Sequence, residues 1–149
     1  IGEKSKAQEM VAEMNARIEA VLEKTANISE SERPKVYLEL ASYGGTTVGN
    51  GTLSNDIIEM AGGVNIFNNG TKTWVASTES IVEKNPDIII IEDASTKSND
   101  DLKANLGSTV NAVTGDKIYR IDGTTLTTSP SVVEALENMA KWFHPTLFQ

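Results

Sequence analysis

Two adjacent carboxylates, Glu92 and Asp93, close the most apolar run of the chain, Ile88-Ile89-Ile90-Ile91. A carboxylate pair can bind a cation or divide acid and base roles between its members. Neighbouring residues of a strand point to opposite faces, however, so these two converge on one atom only if the backbone bends. His144 is the single histidine, set between Phe143 and Pro145. It has no partner for a histidine cluster and reads as structural. There is no cysteine, which excludes disulfides, thiolate metal sites and cysteine nucleophiles. No Ser/His/Asp set and no metal-ligand spacing is readable, so the residues give no catalytic group, no metal site, no cofactor and no positive sign of an enzyme. Four glycines fall within Ser42–Thr52, where they permit close approach of backbone to a ligand. The stretch lacks both G-x-G-x-x-G spacing and a Walker lysine, which disfavours a nucleotide-phosphate loop. A flexible connection and a ligand-facing loop presenting the Tyr43 ring both remain open. Trp74 opens a polar stretch, and Glu79 falls in the first turn of a short helix, where a carboxylate is favourable against the helix dipole without any further function.

The elements that must position these residues alternate between helix and strand patterns. Ala7, Met10, Val11, Met14, Ile18, Val21 and Leu22 recur at three- and four-residue spacing, which predicts a long amphipathic helix over about Ser5–Ala26 with Glu13 and Arg17 paired on its other side. Val36–Ala41 reads as an apolar strand. Ser54–Met60 is a short helix stopped by Gly62-Gly63, and Val64–Phe67 is extended. Ser77 is a plausible N-cap for the helix that Asn85-Pro86 terminates. Four consecutive isoleucines cannot show one wet and one dry face, so Ile88–Ile91 suits a central parallel strand covered on both sides. Its carboxyl end, at Glu92, is where open α/β sheets place ligands. Asp100–Leu106 is a further helix and Lys117–Ile121 a strand. Asp122–Thr128 forms a hydroxyl-rich loop containing Thr125, and Ser129-Pro130 opens a last helix whose apolar face carries Val132, Val133, Leu136, Met139, Ala140 and Phe143. The class is α/β: a three-layer arrangement, a central mostly parallel sheet flanked by helices, with one long helix ahead of it.

The 149 residues carry a net charge of −8, which disfavours nucleic acid and anionic membrane surfaces as partners. No apolar run approaches the roughly 20 residues of a membrane span. The chain begins at Ile1 and reads as a piece of a longer protein, with any targeting segment upstream. Asn27-Ile-Ser29, Asn50-Gly-Thr52 and Asn69-Gly-Thr71 match the glycosylation acceptor pattern, which chance supplies readily in a chain rich in these residues.

Taken in order, the initial amphipathic helix, R-P-K-V-Y at Arg33–Tyr37, G-T-L-S-N-D-I-I-E-M-A-G-G-V-N at Gly51–Asn65, Trp74, S-T-E-S-I-V at Ser77–Val82, N-P-D-I-I-I-I at Asn85–Ile91, G-D-K-I-Y-R-I at Gly115–Ile121 and the final S-P-S-V-V-E-A-L helix resemble one family. It is the class III periplasmic substrate-binding proteins, which serve ABC importers of iron–siderophore complexes, haem and cobalamin. The resemblance spans nearly the whole chain. It implies two α/β lobes joined by a long helix, with the ligand held between them; residues 1–30 would be the connecting helix and its loop, and 31–149 the C-terminal lobe. It implies a metal-chelate small molecule and a membrane permease as partners, an extracytoplasmic location, and membrane attachment only through an anchor outside this chain. It places Trp74 at the cleft and Glu79 against arginines of the permease. Tyr43, Trp74, Glu92 and Thr125 are the expected ligand-facing residues. One departure stands out: many relatives carry an arginine before the proline of the last helix, where this chain has Thr128-Ser129-Pro130. From the residues alone, a doubly wound cofactor-binding enzyme domain using the Tyr43–Thr52 glycines is the alternative.

Overall fold

The computed structural model describes residues 2–41, 45–127 and 130–149. Helix α1 (Gly2–Thr25) leads through a 3-10 turn (Glu30–Glu32) into strand β1 (Lys35–Leu40). Next come β2 (Thr46–Val48), α2 (Leu53–Met60), β3 (Val64–Asn65), β4 (Thr73–Trp74) and α3 (Thr78–Lys84). The chain continues with β5 (Ile88–Glu92), α4 (Asn99–Leu106), α5 (Asn111–Thr114), β6 (Ile118–Ile121), a 3-10 turn (Gly123–Leu126) and α6 (Val132–Phe143). The sheet runs β4-β2-β1-β5-β6, with β3 beside the start of β1. β1, β5 and β6 are mutually parallel; β2 is antiparallel to both β1 and β4.

The two central strands explain the layering. Along β1 and β5, Val36, Leu38, Ile88 and Ile90 join α1, α2 and α6 in one core, which contains Val21, Ile57, Ile58, Leu136, Met139 and Phe143. Tyr37, Ile89 and Ile91 face the opposite core with Ile81 of α3, Leu102 and Leu106 of α4, and Ala112 of α5. All four isoleucines are at most 1% exposed, as a strand buried on both faces requires.

Helix boundaries follow local chemistry. Ser77 accepts from the Ser80 amide at 3.2 Å and so caps α3, and Asn85 ends that helix in the left-handed region (φ 48°). Thr52 caps α2, and Ser98 and Asp101 form a capping box on α4. At α6 the first helical residue is Val132, with Ser131 at the N-cap position; Ser129, the expected cap, lies outside the described residues.

Three expectations change. The glycine-rich stretch after β1 contains a strand, β2, whose Thr47 hydroxyl donates to the Leu38 carbonyl at 2.9 Å. The residues around Trp74 pair with β2 as the sheet's edge strand β4. Arg17 does not pair with Glu13: it forks onto Glu137 of α6, Nε to Oε1 at 2.8 Å and Nη2 to Oε2 at 2.7 Å, because a bidentate carboxylate across the helix interface is a better acceptor than one on its own exposed face. That pair raises the guanidinium pKa and holds the Glu137 carboxyl below its ordinary range. Only the last turns of α1 are buried. Residues 2–13 are exposed at every position, Met10 and Val11 at 55% each.

Candidate functional site

Because β1, β5 and β6 run parallel, their carboxyl ends share one edge of the sheet. The described residues that follow them, 41 and 45–46, 92–98 and 122–127, gather there. Helix α3 precedes β5 and runs back against the strands, so its amino end lies at the same edge.

The segments are tied together by buried polar chemistry. Glu39, 2% exposed on the face of β1 that carries Tyr37, accepts from the Tyr37 hydroxyl and from the Lys97 ammonium, each at 2.8 Å. Burial, then the neighbouring carboxylate, pushes the Tyr37 phenol far above its usual range, so it stays a donor. Gly45 lies against this pair. A Cβ there would come within 2.6 Å of Glu39 Oε1 and 2.9 Å of Lys97 Nζ, and its φ of 98° disfavours any side chain. A cavity of about 50 Å³ borders the pair, lined also by Thr78, Leu102 and Asn105.

Arg120 of β6 holds the 92–98 segment from the other side. Its guanidinium donates to the Lys97 carbonyl, to Asn99 Oδ1 at 3.1 Å and to the Glu92 carbonyl at 3.5 Å. Asp122 accepts from the amide and hydroxyl of Thr124 at 2.9 and 2.8 Å, which holds its carboxyl below the ordinary range.

Among the residues singled out from the sequence, Glu92 is half-buried at this edge. Its Oε2 accepts from the Ala41 amide and its Oε1 lies against Gly123, where a Cβ would be 2.0 Å away. It therefore spans from the end of β1 to the turn after β6. Asp93 is exposed, so the adjacent carboxylates diverge. Thr125 is 9% exposed and its hydroxyl donates to the Asp122 carbonyl at 2.6 Å. Trp74, on β4, is separated from β5 by β2 and β1 and is half-buried, its ring edge-on to Phe67 with centroids 5.5 Å apart and pressed against Gly49 and Gly70. Glu79 is exposed in the first turn of α3. Tyr43 lies outside the described residues. His144 Nε2 is 2.9 Å from the Gly62 carbonyl, on the side of the sheet carrying α2 and α6. Among the described residues, no three carboxylate or imidazole groups are placed to hold a metal ion.

Glu39, Lys97, Arg120 and Asp122 were not singled out from the sequence. The signal for Glu39 was the period of β1, which puts it on the Tyr37 face; its partner lies 58 residues away, and no local pattern joins them.

Comparison with known proteins gives this edge a context. Residues 1–125 match the periplasmic binding protein family. An uncharacterized ABC transporter substrate-binding lipoprotein of Bacillus subtilis (strain 168), YvrC, is 30% identical over 151 residues, covering 99% of this chain and 48% of that protein. Among solved structures, Helicobacter pylori CeuE with Ni-His superposes with a TM-score of 0.83 at 23% identity, over 95% of this chain and 46% of that one. The periplasmic heme-binding protein RhuT of Roseiflexus sp. RS-1 gives 0.81 at 21%, over 97% and 57%. The TroA-like periplasmic binding protein FepB of Veillonella parvula gives 0.83 at 24%, over 100% and 50%. The chain thus spans about half the length of the proteins it matches, and these structures share its fold.

Proposed function

Because the chain belongs to the periplasmic binding protein family, a family of binding rather than catalytic proteins, we propose that it is half of the substrate-binding component of an ABC importer. Residues 1–30 form the helix that connects two lobes and residues 31–149 the C-terminal lobe. The ligand is an iron–siderophore, haem or cobalamin-like chelate, held between the lobes and handed to a membrane permease. RhuT is a heme-binding protein and CeuE was solved with Ni-His; for this chain the chelate class is carried over by analogy. The protein works on the outer face of the cell membrane. No helix among the described residues is long and apolar enough to cross a membrane.

The observation that carries this reading is the gathering of residues 45–46, 92–98 and 122–127 at the carboxyl edge of the parallel strands, the position at which open α/β sheets take ligands, with the 92–98 segment held by Glu39 and Arg120. Tyr43, Trp74, Glu92 and Thr125 are assigned to the ligand side, Glu92 and Thr125 chiefly as shapers of the segments that carry them. Glu79 is assigned to the permease.

Titrating the full-length protein with a panel of metal chelates, followed by tryptophan fluorescence, tests the reading. Saturable quenching by at least one chelate at micromolar concentration or below is expected. A flat response across the panel would sink it. The isolated chain is expected to bind the same chelate more weakly, since one lobe supplies part of the contacts; equal affinity would show that the site is complete within residues 1–149.

A further inference from the structure

The charges at the carboxyl edge bear on which chelates it accepts, given the function proposed above. The described residues of this edge, 41, 45–46, 92–98 and 122–127, contain three carboxylates, Glu92, Asp93 and Asp122, and one cation, Lys97. That cation is already committed: its ammonium is 2.8 Å from Glu39, whose side chain is 3% exposed. Arg120, the cation at the end of β6, turns its guanidinium onto Asn99 Oδ1 and the carbonyls of Glu92 and Lys97. Asp93 and Asp122 remain exposed. The described part of the last segment adds Thr124, Thr125 and Thr127, hydroxyl groups without charge.

We propose that this edge receives an uncharged or cationic chelate and selects against polyanionic ones. A ferric tris-hydroxamate is uncharged, because three singly charged ligands cancel the ferric ion. A ferric tris-catecholate is a trianion. Enclosing the trianion against Asp93 and Asp122, with both nearby cations held by internal acceptors, brings like charges together where solvent screens them poorly, and such juxtaposition is strongly unfavourable. The hydroxyls of Thr124 and Thr125 donate to Asp122 and that of Thr127 to the Thr124 carbonyl, so what they offer the rim of an uncharged chelate is acceptor lone pairs without formal charge.

The test is a titration of the full-length protein at low and at physiological salt with a ferric tris-hydroxamate, a cyano-corrinoid, a ferric tris-catecholate and hemin. At least one uncharged chelate is expected to bind roughly 100-fold more tightly than either anionic one, with the gap narrowing as salt rises. Glu39→Gln frees Lys97 and is expected to narrow the uncharged-over-anionic ratio about tenfold. Asp122→Asn, at an exposed position, makes the same ratio fall and serves if Glu39→Gln does not fold. A tris-catecholate or hemin affinity equal to or above that of the uncharged chelates would overturn the charge selection and leave the binding function standing. No binding by any of the four would instead remove the chelate-binding function on which the selection rests.

Discussion

The two central strands, β1 and β5, are partners in register, yet they do different work. Val36 lies opposite Ile88, Tyr37 opposite Ile89, Leu38 opposite Ile90 and Glu39 opposite Ile91. In the first three rows both strands are apolar or aromatic and fully buried. In the fourth, β1 places a carboxylate where β5 places an isoleucine. β5 therefore serves the core through Ile91, and only its last residue, Glu92, reaches the edge, while β1 already places a carboxylate one row earlier. The difference shows where this fold accepts electrostatic cost. A buried carboxylate is tolerated one row below the carboxyl edge of the sheet, where it anchors Lys97 and through it the 92–98 segment.

The largest expected effect lies on the β5 side of this comparison. Ile90 is 0% exposed and packs with Leu38, Ile88 and Met139. Ile90→Ala removes three carbon atoms from a site that cannot collapse, because both faces of the strand are covered, and is expected to cost about 3–5 kcal/mol of stability in chemical denaturation. A loss below about 1 kcal/mol would mean that β5 is not the frame.

Lys97→Met tests the β1 side. It leaves Glu39 buried with Tyr37 as its one remaining side-chain partner among the described residues. Removing one member of a buried pair costs about 3–5 kcal/mol; Lys97 is itself 39% exposed, so about 2–3 kcal/mol is expected here. Glu39→Leu with Lys97 intact should cost less, since the freed ammonium can turn to water while an apolar side chain fills the carboxylate's place. If the two variants lose equal stability, the asymmetry assigned to the pair is wrong. Tyr37→Phe is smaller still. It deletes the hydroxyl that donates to Glu39 at 2.8 Å while keeping the ring against Phe67, for about 0.5–1.5 kcal/mol.

The same contrast explains what the sequence discloses. Ile88–Ile91 is legible because four β-branched residues admit one environment. Ser77, Asn85 and Pro86 are legible because caps and stops act within a few residues. Glu39 is hidden inside an apolar run, and what makes it tolerable, Lys97 and Tyr37, becomes visible only when the sheet is folded. β2 and β4 are three and two residues long and take their conformation from pairing with each other and with β1, so local propensity says little about them. The periodic face of α1 is readable, yet most of it is exposed: the period reveals an apolar stripe and does not tell what covers it.

Glu79 offers the smallest stability effect and the sharpest functional contrast. It stands in the first turn of α3, the helix that feeds β5, and is exposed, so it belongs to the frame only through the helix dipole, worth about 0.3–1 kcal/mol. Its proposed partner is an arginine of the permease. Wet, such a pair contributes about 0–1 kcal/mol. Enclosed in an interface and hydrogen-bonded, losing one member costs roughly 2–5 kcal/mol, mostly in dissociation rate. Glu79→Ala is therefore expected to unfold almost where the wild type does and to bind chelate unchanged in the full-length protein, while permease-dependent uptake falls. Glu79→Gln should behave the same way, because it keeps the size and removes the charge. Glu79→Arg places like charges face to face and should abolish uptake. Normal uptake by the arginine variant would leave Glu79 as a dipole-matching residue of α3 and nothing more, and the permease would have to be sought on another surface.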